Sequence, residues 1–146
     1  LKTGSSSLLN RAKTGRRFYT NGQTGFVSAT DVAKVMVSLM KSDIKNERFI
    51  VSSENMTFKD FYSIANQQFG HNPPNIYCGQ LITGIIWRLA KIISTLTGTP
   101  PLLTKYVARA AHSKRNFSNN KVKGALNFSF LSVKESIGKA CREYSA

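Results

Sequence analysis

The chain has 146 residues, of which 41% are hydrophobic, and its formal net charge is +14. This length and composition suffice for one ordinary hydrophobic core, so we predict a single domain over residues 1–146. No uncharged apolar run reaches the roughly 18 residues that a membrane-spanning helix needs, and we therefore expect no membrane span.

The 21 lysines and arginines, set against seven acidic residues, are typical of proteins that bind nucleic acid or an anionic surface. They form an amino-terminal cluster and a looser carboxy-terminal group in which Tyr106 and Phe117 are interleaved. The two groups comprise Arg11, Lys13, Arg16 and Arg17, and then Lys105, Arg109, Lys114, Arg115, Lys121 and Lys123. Neither group matches a motif that reads RNA or DNA, so we interpret both as solvated faces and expect no nucleic-acid partner. A small basic nucleic-acid-binding module remains the alternative.

The cysteines and histidines are isolated from one another in the sequence. Cys78 and Cys141 have no C-x-x-C spacing, and His71 and His112 have no metal-ligand neighbours. We expect no metal site, and thiols rather than a disulfide are typical of a cytoplasmic protein.

The first elements predict a strand pair. After a serine-containing loop over residues 1–7, we predict a short helix over residues 8–13 that stops near Gly15, and a strand over residues 16–20. Asn21 and Gly22 form a turn dipeptide that accepts positive φ. The pattern therefore predicts a hairpin between residues 17–20 and 25–29.

Two helices and a further strand follow. Asp31 is predicted to be the N-cap of an amphipathic helix whose apolar face holds Val32, Val35, Met36 and Leu39. Residues 48–52 predict a strand. Thr57 is predicted to cap a helix over residues 58–69, which Gly70 ends. The apolar positions of this helix recur at helical spacing and are Phe58, Phe61, Tyr62, Ile64, Ala65 and Phe69.

The most strongly patterned helix is predicted over Gln80–Thr97. Its large apolar residues recur at helical spacing and are Leu81, Ile82, Ile85, Ile86, Leu89, Ile92, Ile93 and Leu96. We expect this stripe to be a principal part of the core. The alternatives are that the stripe lies on a membrane, as in a peripheral membrane-binding protein, or docks against a second lobe. Gly98, Pro100 and Pro101 are expected to end the helix.

Three shorter helices complete the prediction. Thr104 is expected to cap a helix over residues 105–111, Ser118 to start one toward Leu126, and Ser132 to cap the last. The apolar edge of the last helix is formed by Val133, Ile137, Ala140 and Cys141. The predicted fold class is therefore α+β, rich in helices and with a small mixed sheet.

Four segments resemble one enzyme family in the same order. They are GQTGFVSATDVAKVMVSLM (22–40), NERFIVSS (46–53), MTFKDFYSIANQQFGHNPP (56–74) and SNNKVKGALNFSF (118–130). They are similar to the substrate-binding part of the extended short-chain dehydrogenase/reductases, the family of NAD(P)-dependent epimerases, dehydratases and dihydroflavonol-reductase-like enzymes. The resemblance implies a helix-rich carboxy-terminal lobe.

Two motifs of that family are missing from the chain. None of the five tyrosines has a lysine four residues later, and no glycines form the G-x-x-G-x-x-G turn that faces a cofactor pyrophosphate. Because the chain also begins with Leu1, we expect it to be the substrate-binding lobe of a longer oxidoreductase, with the Rossmann core largely absent. The resemblance then implies NAD(P) in the parent enzyme. It also implies no cofactor and no catalytic residue in this chain, the missing amino-terminal Rossmann lobe as a partner, and a possible homo-oligomer.

The resemblance also points to residues that contact a small-molecule substrate. The loop with Ser5 and Ser6, and Leu9 after it, correspond to a segment that lines the family's substrate pocket, although helix capping explains the serines equally well. Phe18 and Tyr19 correspond to a strand that touches the substrate, although Phe18 also suits an ordinary core position.

One departure from the family narrows the substrate class. Epimerases that act on sugar nucleotides carry an arginine where this chain has Thr24 and Gly25, and a guanidinium there can pair with a diphosphate. The sequence is therefore closer to the branch that resembles dihydroflavonol reductases and steroid dehydrogenases, whose substrates are less charged carbonyls or alcohols. Arg16, Arg17 and Arg88 leave an anionic substrate open.

Overall fold

The computed structural model describes residues 5–99 and 104–145. Within these ranges the chain forms seven helices and four short strands, so the helix-rich α+β prediction is confirmed. In chain order they are α1 (Ser5–Lys13), β1 (Phe18–Tyr19), β2 (Gln23–Phe26), α2 (Ala29–Met40), β3 (Glu54–Thr57), α3 (Phe58–Gln68), β4 (Ile76–Tyr77), α4 (Gln80–Thr97), α5 (Lys105–Ala110), α6 (Asn120–Leu126) and α7 (Val133–Ser145).

The four strands form two separate pairs. β1 pairs with β4 in parallel, with Tyr19 opposite Tyr77. β2 pairs with β3 in antiparallel register. The predicted hairpin between residues 17–20 and 25–29 is therefore wrong. The physical reason lies at Gly22, whose N–H donates to Ala111 O (3.0 Å) and whose C=O accepts from Phe58 N (3.0 Å), so the link is held by distant segments instead of folding back.

The predicted strand over residues 48–52 is also wrong. Pairing with β2 begins only at Ser53, whose N–H donates to Phe26 O (2.8 Å), and the strand itself is β3. The backbone groups of residues 48–51 form no hydrogen bonds with the described part of the chain. Ile50 is 52% exposed. These residues have the composition of a strand but no ladder partner here.

The core lies where α3 packs against α1 on one side and α7 on the other. Phe61, Tyr62 and Ala65 of α3 are buried there with Ile137 of α7, and Phe26 stacks on Phe61 with ring centroids 5.0 Å apart. The remaining buried residues of this cluster are Ala12, Val133 and Cys141. The apolar faces predicted for α3 and α7 are therefore confirmed. So is the Thr57 cap, whose hydroxyl accepts from Asp60 N (3.1 Å).

The amino-terminal end of α2 differs from the prediction. Ser28, not Asp31, is the N-cap, and its hydroxyl accepts from Thr30 N (3.3 Å). Asp31 lies inside the first turn and is buried. Val35 is fully buried as predicted, but Met36 is exposed, because α2 is covered along a narrower strip than its composition suggested.

The bounds of α4 are as predicted, but its burial is not. All eight large apolar residues of the stripe are between 44% and 85% exposed. Its one buried residue is Thr83. The prediction that the stripe belongs to the core is therefore wrong, because α4 meets α5 through its opposite side. Gly98 ends the helix in a left-handed conformation (φ 67°), and Pro100 and Pro101 lie outside the described residues.

The starts of four further helices can be compared with the predicted ones. α1 begins at Ser5, earlier than predicted. Thr104 caps α5 and Ser132 caps α7, both as predicted. α6 begins after Asn119 and not at Ser118.

Two observations on the described residues concern membrane-spanning helices and metal sites. No helix among residues 5–99 and 104–145 has both the length and the apolar character to traverse a bilayer. The same residues contain no group of three or more histidine, cysteine, aspartate or glutamate side chains that could hold a metal ion.

Candidate functional site

An apolar cavity of about 410 Å³ lies between β1 and the helices around it, and we call it the Tyr19 cavity. Its walls come from α1, β1, α3, α4 and α5, which are brought together from most of the chain's length. The lining residues are Leu8, Arg11, Arg16, Phe18, Tyr19, Thr20, Phe58, Tyr62, Cys78, Ile82, Thr83, Ile86, Val107, Ala108, Ala110 and Ala111. A mostly apolar cavity with a few polar groups is the usual form of a small-molecule site.

Tyr19 is held in place by the parallel strand pair. Its C=O accepts from Cys78 N (2.8 Å), and its ring lies 5.6 Å from the ring of Tyr77. Lys59 Nζ lies 5.0 Å from the centroid of the same ring. The Tyr19 hydroxyl has no hydrogen-bond partner among the described residues, so it is available to a polar atom of a ligand.

Arg16 is fixed beside the cavity by three contacts. Its guanidinium carbon lies 5.2 Å from the ring centroid of Tyr62, and its Nε donates to Phe18 O (3.1 Å). Its C=O accepts from Asn66 Nδ2 (2.9 Å), which is buried. Arg11 also lines the cavity, and no acidic residue does. The cavity therefore has a positive side that favours an electron-rich group on the ligand.

The far wall is held by a hydrogen bond between α4 and the end of α5. Thr83 Oγ1 lies 2.9 Å from His112 Nε2 and also donates within its own helix, where Gly79 O and Gln80 O are both 3.1 Å away. Because Thr83 is buried, this link orders the two helices that contribute Ile82 and Ala108 to the cavity.

The five residues that sequence comparison assigned to substrate contact are separated by the structure. Phe18 and Tyr19 both line the Tyr19 cavity. Leu9 lies on the other side of α1, where it packs against the core and lines a second cavity of about 290 Å³. The side chains of Ser5 and Ser6 lie outside the described residues.

Several lining residues were not expected from the sequence. Tyr62 carried the helical spacing of a core residue, and it is both buried and part of the cavity wall. Cys78 reaches the cavity because β4 pairs with β1, a pairing of residues far apart in sequence. Only knowledge of that strand pairing could have identified Cys78.

A second groove of about 460 Å³ runs between α4 and α5 on the side away from the apolar stripe. Its charged lining is cationic and comes from Arg88, Lys105 and Arg109, with His112 beside them. The Arg88 guanidinium already has partners within α4, because it donates to Gly84 O (2.9 Å) and lies 5.0 Å from the ring centroid of Trp87. We take the Tyr19 cavity as the candidate site, because it is the more apolar of the two and is lined by residues of five elements.

Comparison with known proteins identifies the fold alone. No protein-family model matches the sequence, and no curated protein matches it. Among solved structures, the crystal structure of gox2253 aligns with 96% of this chain and 42% of its own, at a TM-score of 0.72 and 18% identity. The Bordetella bronchiseptica enzyme WbmG, crystallised with NAD and UDP, aligns with 99% of this chain and 39% of its own, at a TM-score of 0.61 and 13% identity.

This chain has the fold of part of an NAD-bound enzyme. The chain spans about two fifths of the length of the two solved structures, while almost all of it takes part in the alignment. At identities of 18% and 13%, this likeness concerns the fold alone.

Proposed function

We propose that this chain is the substrate-binding lobe of a longer NAD(P)-dependent oxidoreductase or epimerase, and that the lobe alone is inactive. The observation that carries the proposal is the Tyr19 cavity, which occurs in a fold shared with part of an enzyme crystallised with NAD. The substrate class that the cavity fits best is a carbonyl or alcohol on an apolar body.

The lining of the cavity supports that substrate class. Phe18, Ile82 and Ile86 offer apolar contacts, and the Tyr19 hydroxyl offers a hydrogen bond to a substrate oxygen. Arg16 lies close enough to the cavity to stabilise a partial negative charge on that oxygen. These groups bind and orient a substrate; the hydride donor and the acid or base belong to the lobe that this chain lacks.

Two features support the proposal that substrate and cofactor bind to different lobes. The sequence carries neither a glycine-rich cofactor turn nor a Tyr-x-x-x-Lys pair. Residues 48–51 present backbone groups without partners among the described residues, which is what a strand looks like when the sheet it completes is missing.

The contacts of Gly25 argue for a less charged substrate. A Cβ added at Gly25 would lie 2.4 Å from Ser52 Oγ and 3.0 Å from Phe117 Cδ2, so both side chains would have to shift before this position could carry the arginine of sugar-nucleotide epimerases. Arg11 and Arg16 of the cavity are the remaining candidates for an anion contact. Competition between UDP, which was crystallised with WbmG, and apolar ketones would therefore distinguish the two substrate classes.

The test compares Tyr19→Phe with Tyr106→Phe in the complete protein. Tyr106 is a matched control, because it is exposed and does not line the cavity. Turnover of a panel of apolar ketones and secondary alcohols is measured with NAD(H) and NADP(H). We expect Tyr19→Phe to raise KM by about fivefold to tenfold, the effect of one lost hydrogen bond, with cofactor affinity unchanged.

Two outcomes would count against the proposal. Equal kinetics for both variants would remove Tyr19 from the substrate site. Tight binding of UDP that competes with the ketones would move the substrate class toward nucleotide sugars.

A further inference from the structure

We propose that α4 is an interfacial membrane helix, which lies in the plane of an anionic bilayer surface with its apolar stripe in the lipid. The structural basis is an apolar helix face that no described element covers, together with a surrounding sequence that carries only positive charge.

The exposed face of α4 is large and purely aliphatic. Its eight side chains are all leucine or isoleucine, and each is between 44% and 85% exposed. Isolated exposed leucines are ordinary on soluble proteins, but a continuous patch on one helix marks an interaction site.

The spacing of these residues forms a single band. At 3.6 residues per turn, the eight side chains cover an arc of about 140° along the helix, with no polar residue inside it. Arg88 lies just outside one edge of this band, and Lys91 lies farther around the helix; both are exposed. A long cationic side chain beside an apolar face can extend toward lipid phosphates while its methylenes remain near the acyl chains.

The charge around α4 identifies the kind of surface. Residues 61–134 contain no aspartate or glutamate, although they make up half of the chain. Four of their cations lie on the helix pair that carries the apolar face, and they are Arg88 and Lys91 of α4 and Lys105 and Arg109 of α5. Lys121 is paired with Glu47. Basic residues near an anionic membrane surface are attracted within about 8 Å at physiological salt, so the charge of this helix pair and its apolar face favour the same partner.

A second copy of this chain fits the same face poorly. Two chains of net charge +14 would bring their acid-free regions together, and this repulsion opposes a symmetric α4 dimer. An anionic bilayer has the opposite sign of charge and accepts aliphatic side chains without a matching shape.

The dimensions of α4 fit a helix that lies on the membrane. Its 18 residues span roughly 27 Å at 1.5 Å per residue, and it does not have the apolar character to cross a bilayer. Ile82 and Ile86 belong both to the exposed band and to the Tyr19 cavity, so the two share a wall.

The experiment measures co-sedimentation of the complete protein with vesicles. One set contains phosphatidylcholine alone, and the other contains phosphatidylcholine with phosphatidylglycerol. The test variant is Ile85→Ser/Leu89→Ser, whose two residues lie in the band and do not line the Tyr19 cavity. The matched control is Met36→Ser/Met40→Ser, which removes two exposed apolar residues from α2.

We expect the complete protein to bind the anionic vesicles, with affinity that falls as salt rises. Loss of the two α4 side chains should weaken binding by at least about tenfold, because each contributes buried apolar area. The α2 control should bind as the unmodified protein does. Circular dichroism of each variant checks that the fold is retained.

Five results would overturn the proposal. In the first, the complete protein does not bind vesicles. In the second, the α4 variant binds vesicles as well as the unmodified protein does. In the third, the unmodified protein dimerises and the α4 variant does not. The fourth is salt-sensitive binding to a DNA or RNA duplex in place of vesicles. Vesicle binding by the isolated chain but not by the complete protein would identify the missing lobe as the cover of α4 and would also contradict it.

Discussion

Asp31 Oδ2 accepts a hydrogen bond from the backbone N–H of Leu131, across 2.8 Å and one hundred residues of sequence. The Asp31 side chain is only 5% exposed, and the nearest cation, Lys34 Nζ, lies 3.9 Å from its other oxygen. The first turn of α2 is thereby joined to the segment that leads into α7. Asp31, which the sequence predicted to be a helix cap, therefore links two segments that are far apart in the chain.

We predict that Asp31→Ala lowers the free energy of unfolding by about 1–3 kcal/mol, because it leaves the Leu131 N–H without its acceptor. Asp43→Ala is the control, since Asp43 is exposed and near the other end of α2; its effect should stay within about 0.5 kcal/mol. Urea unfolding followed by circular dichroism measures both. Equal changes in the two variants would mean that the link is not stabilising.

The sequence predicted the elements better than their partners. Thr57, Thr104 and Ser132 were recognised because a helix cap is a local interaction within four residues. Asp31 was misassigned because its acceptor role depends on Leu131, which no local pattern connects to it. The stripe of α4 specified an apolar face, but periodicity carries no information on what covers that face.

Gly22→Ala should destabilise the protein by about 1–3 kcal/mol or more, because the new methyl group would meet backbone atoms. A Cβ there would lie 2.3 Å from Ala111 O and 2.7 Å from Ala111 C, and neither can move without shifting the segment after α5. Thermal unfolding is a sufficient measurement.

Gly124→Ala provides the matched control for Gly22. Gly124 lies within α6, and no atom is within 4 Å of a Cβ built on it. Alanine should therefore stabilise the helix by up to about 1 kcal/mol. If both alanine variants melt alike, the close approach of Gly22 to Ala111 is not present in solution.

The two cysteines should react with a thiol reagent at different rates. Burial raises the pKa of the Cys141 thiol, so less of the reactive thiolate forms at a given pH, whereas Cys78 lies half-buried in the wall of the Tyr19 cavity. We expect Cys141→Ser, which retains Cys78, to be labelled faster by Ellman's reagent than Cys78→Ser. Faster labelling of Cys141 in the folded protein would contradict the positions of both residues.

The raised pKa of Cys141 also makes the free energy of unfolding depend on pH. A thiol whose pKa is raised by folding favours the folded state below its ordinary pKa, and this contribution is lost as the pH rises above that value. The fall in unfolding free energy at alkaline pH should therefore be smaller in Cys141→Ser than in the unmodified chain. Identical pH profiles would contradict this contribution.

Residues 48–51 should promote self-association of the isolated chain. Their backbone groups have no hydrogen-bond partners in the described part of the molecule, and Ile50 is exposed, so a second chain can pair with them. Light scattering should show association that rises with concentration and is reduced by Ile50→Lys. Met40→Lys is the control, since it adds the same charge at an exposed apolar site on α2. A clean monomer at high concentration would count against this prediction.

The candidate site was predictable only where a resemblance supplied it. Phe18 and Tyr19 were assigned by similarity, and both line the cavity. Arg11 and Cys78 come to the same cavity through helix packing and a parallel strand pair, which join segments about sixty residues apart. Contacts of this kind depend on the assembled fold and leave no local signal.

We propose that this lobe binds substrate while another part of the same protein binds the cofactor. The most direct test is isothermal titration of NAD(H) and NADP(H) into the complete protein and into this 146-residue chain. We predict that the complete protein binds one of the two cofactors and that the chain alone binds neither. Cofactor binding by the isolated chain, or its absence from the complete protein, would contradict the account.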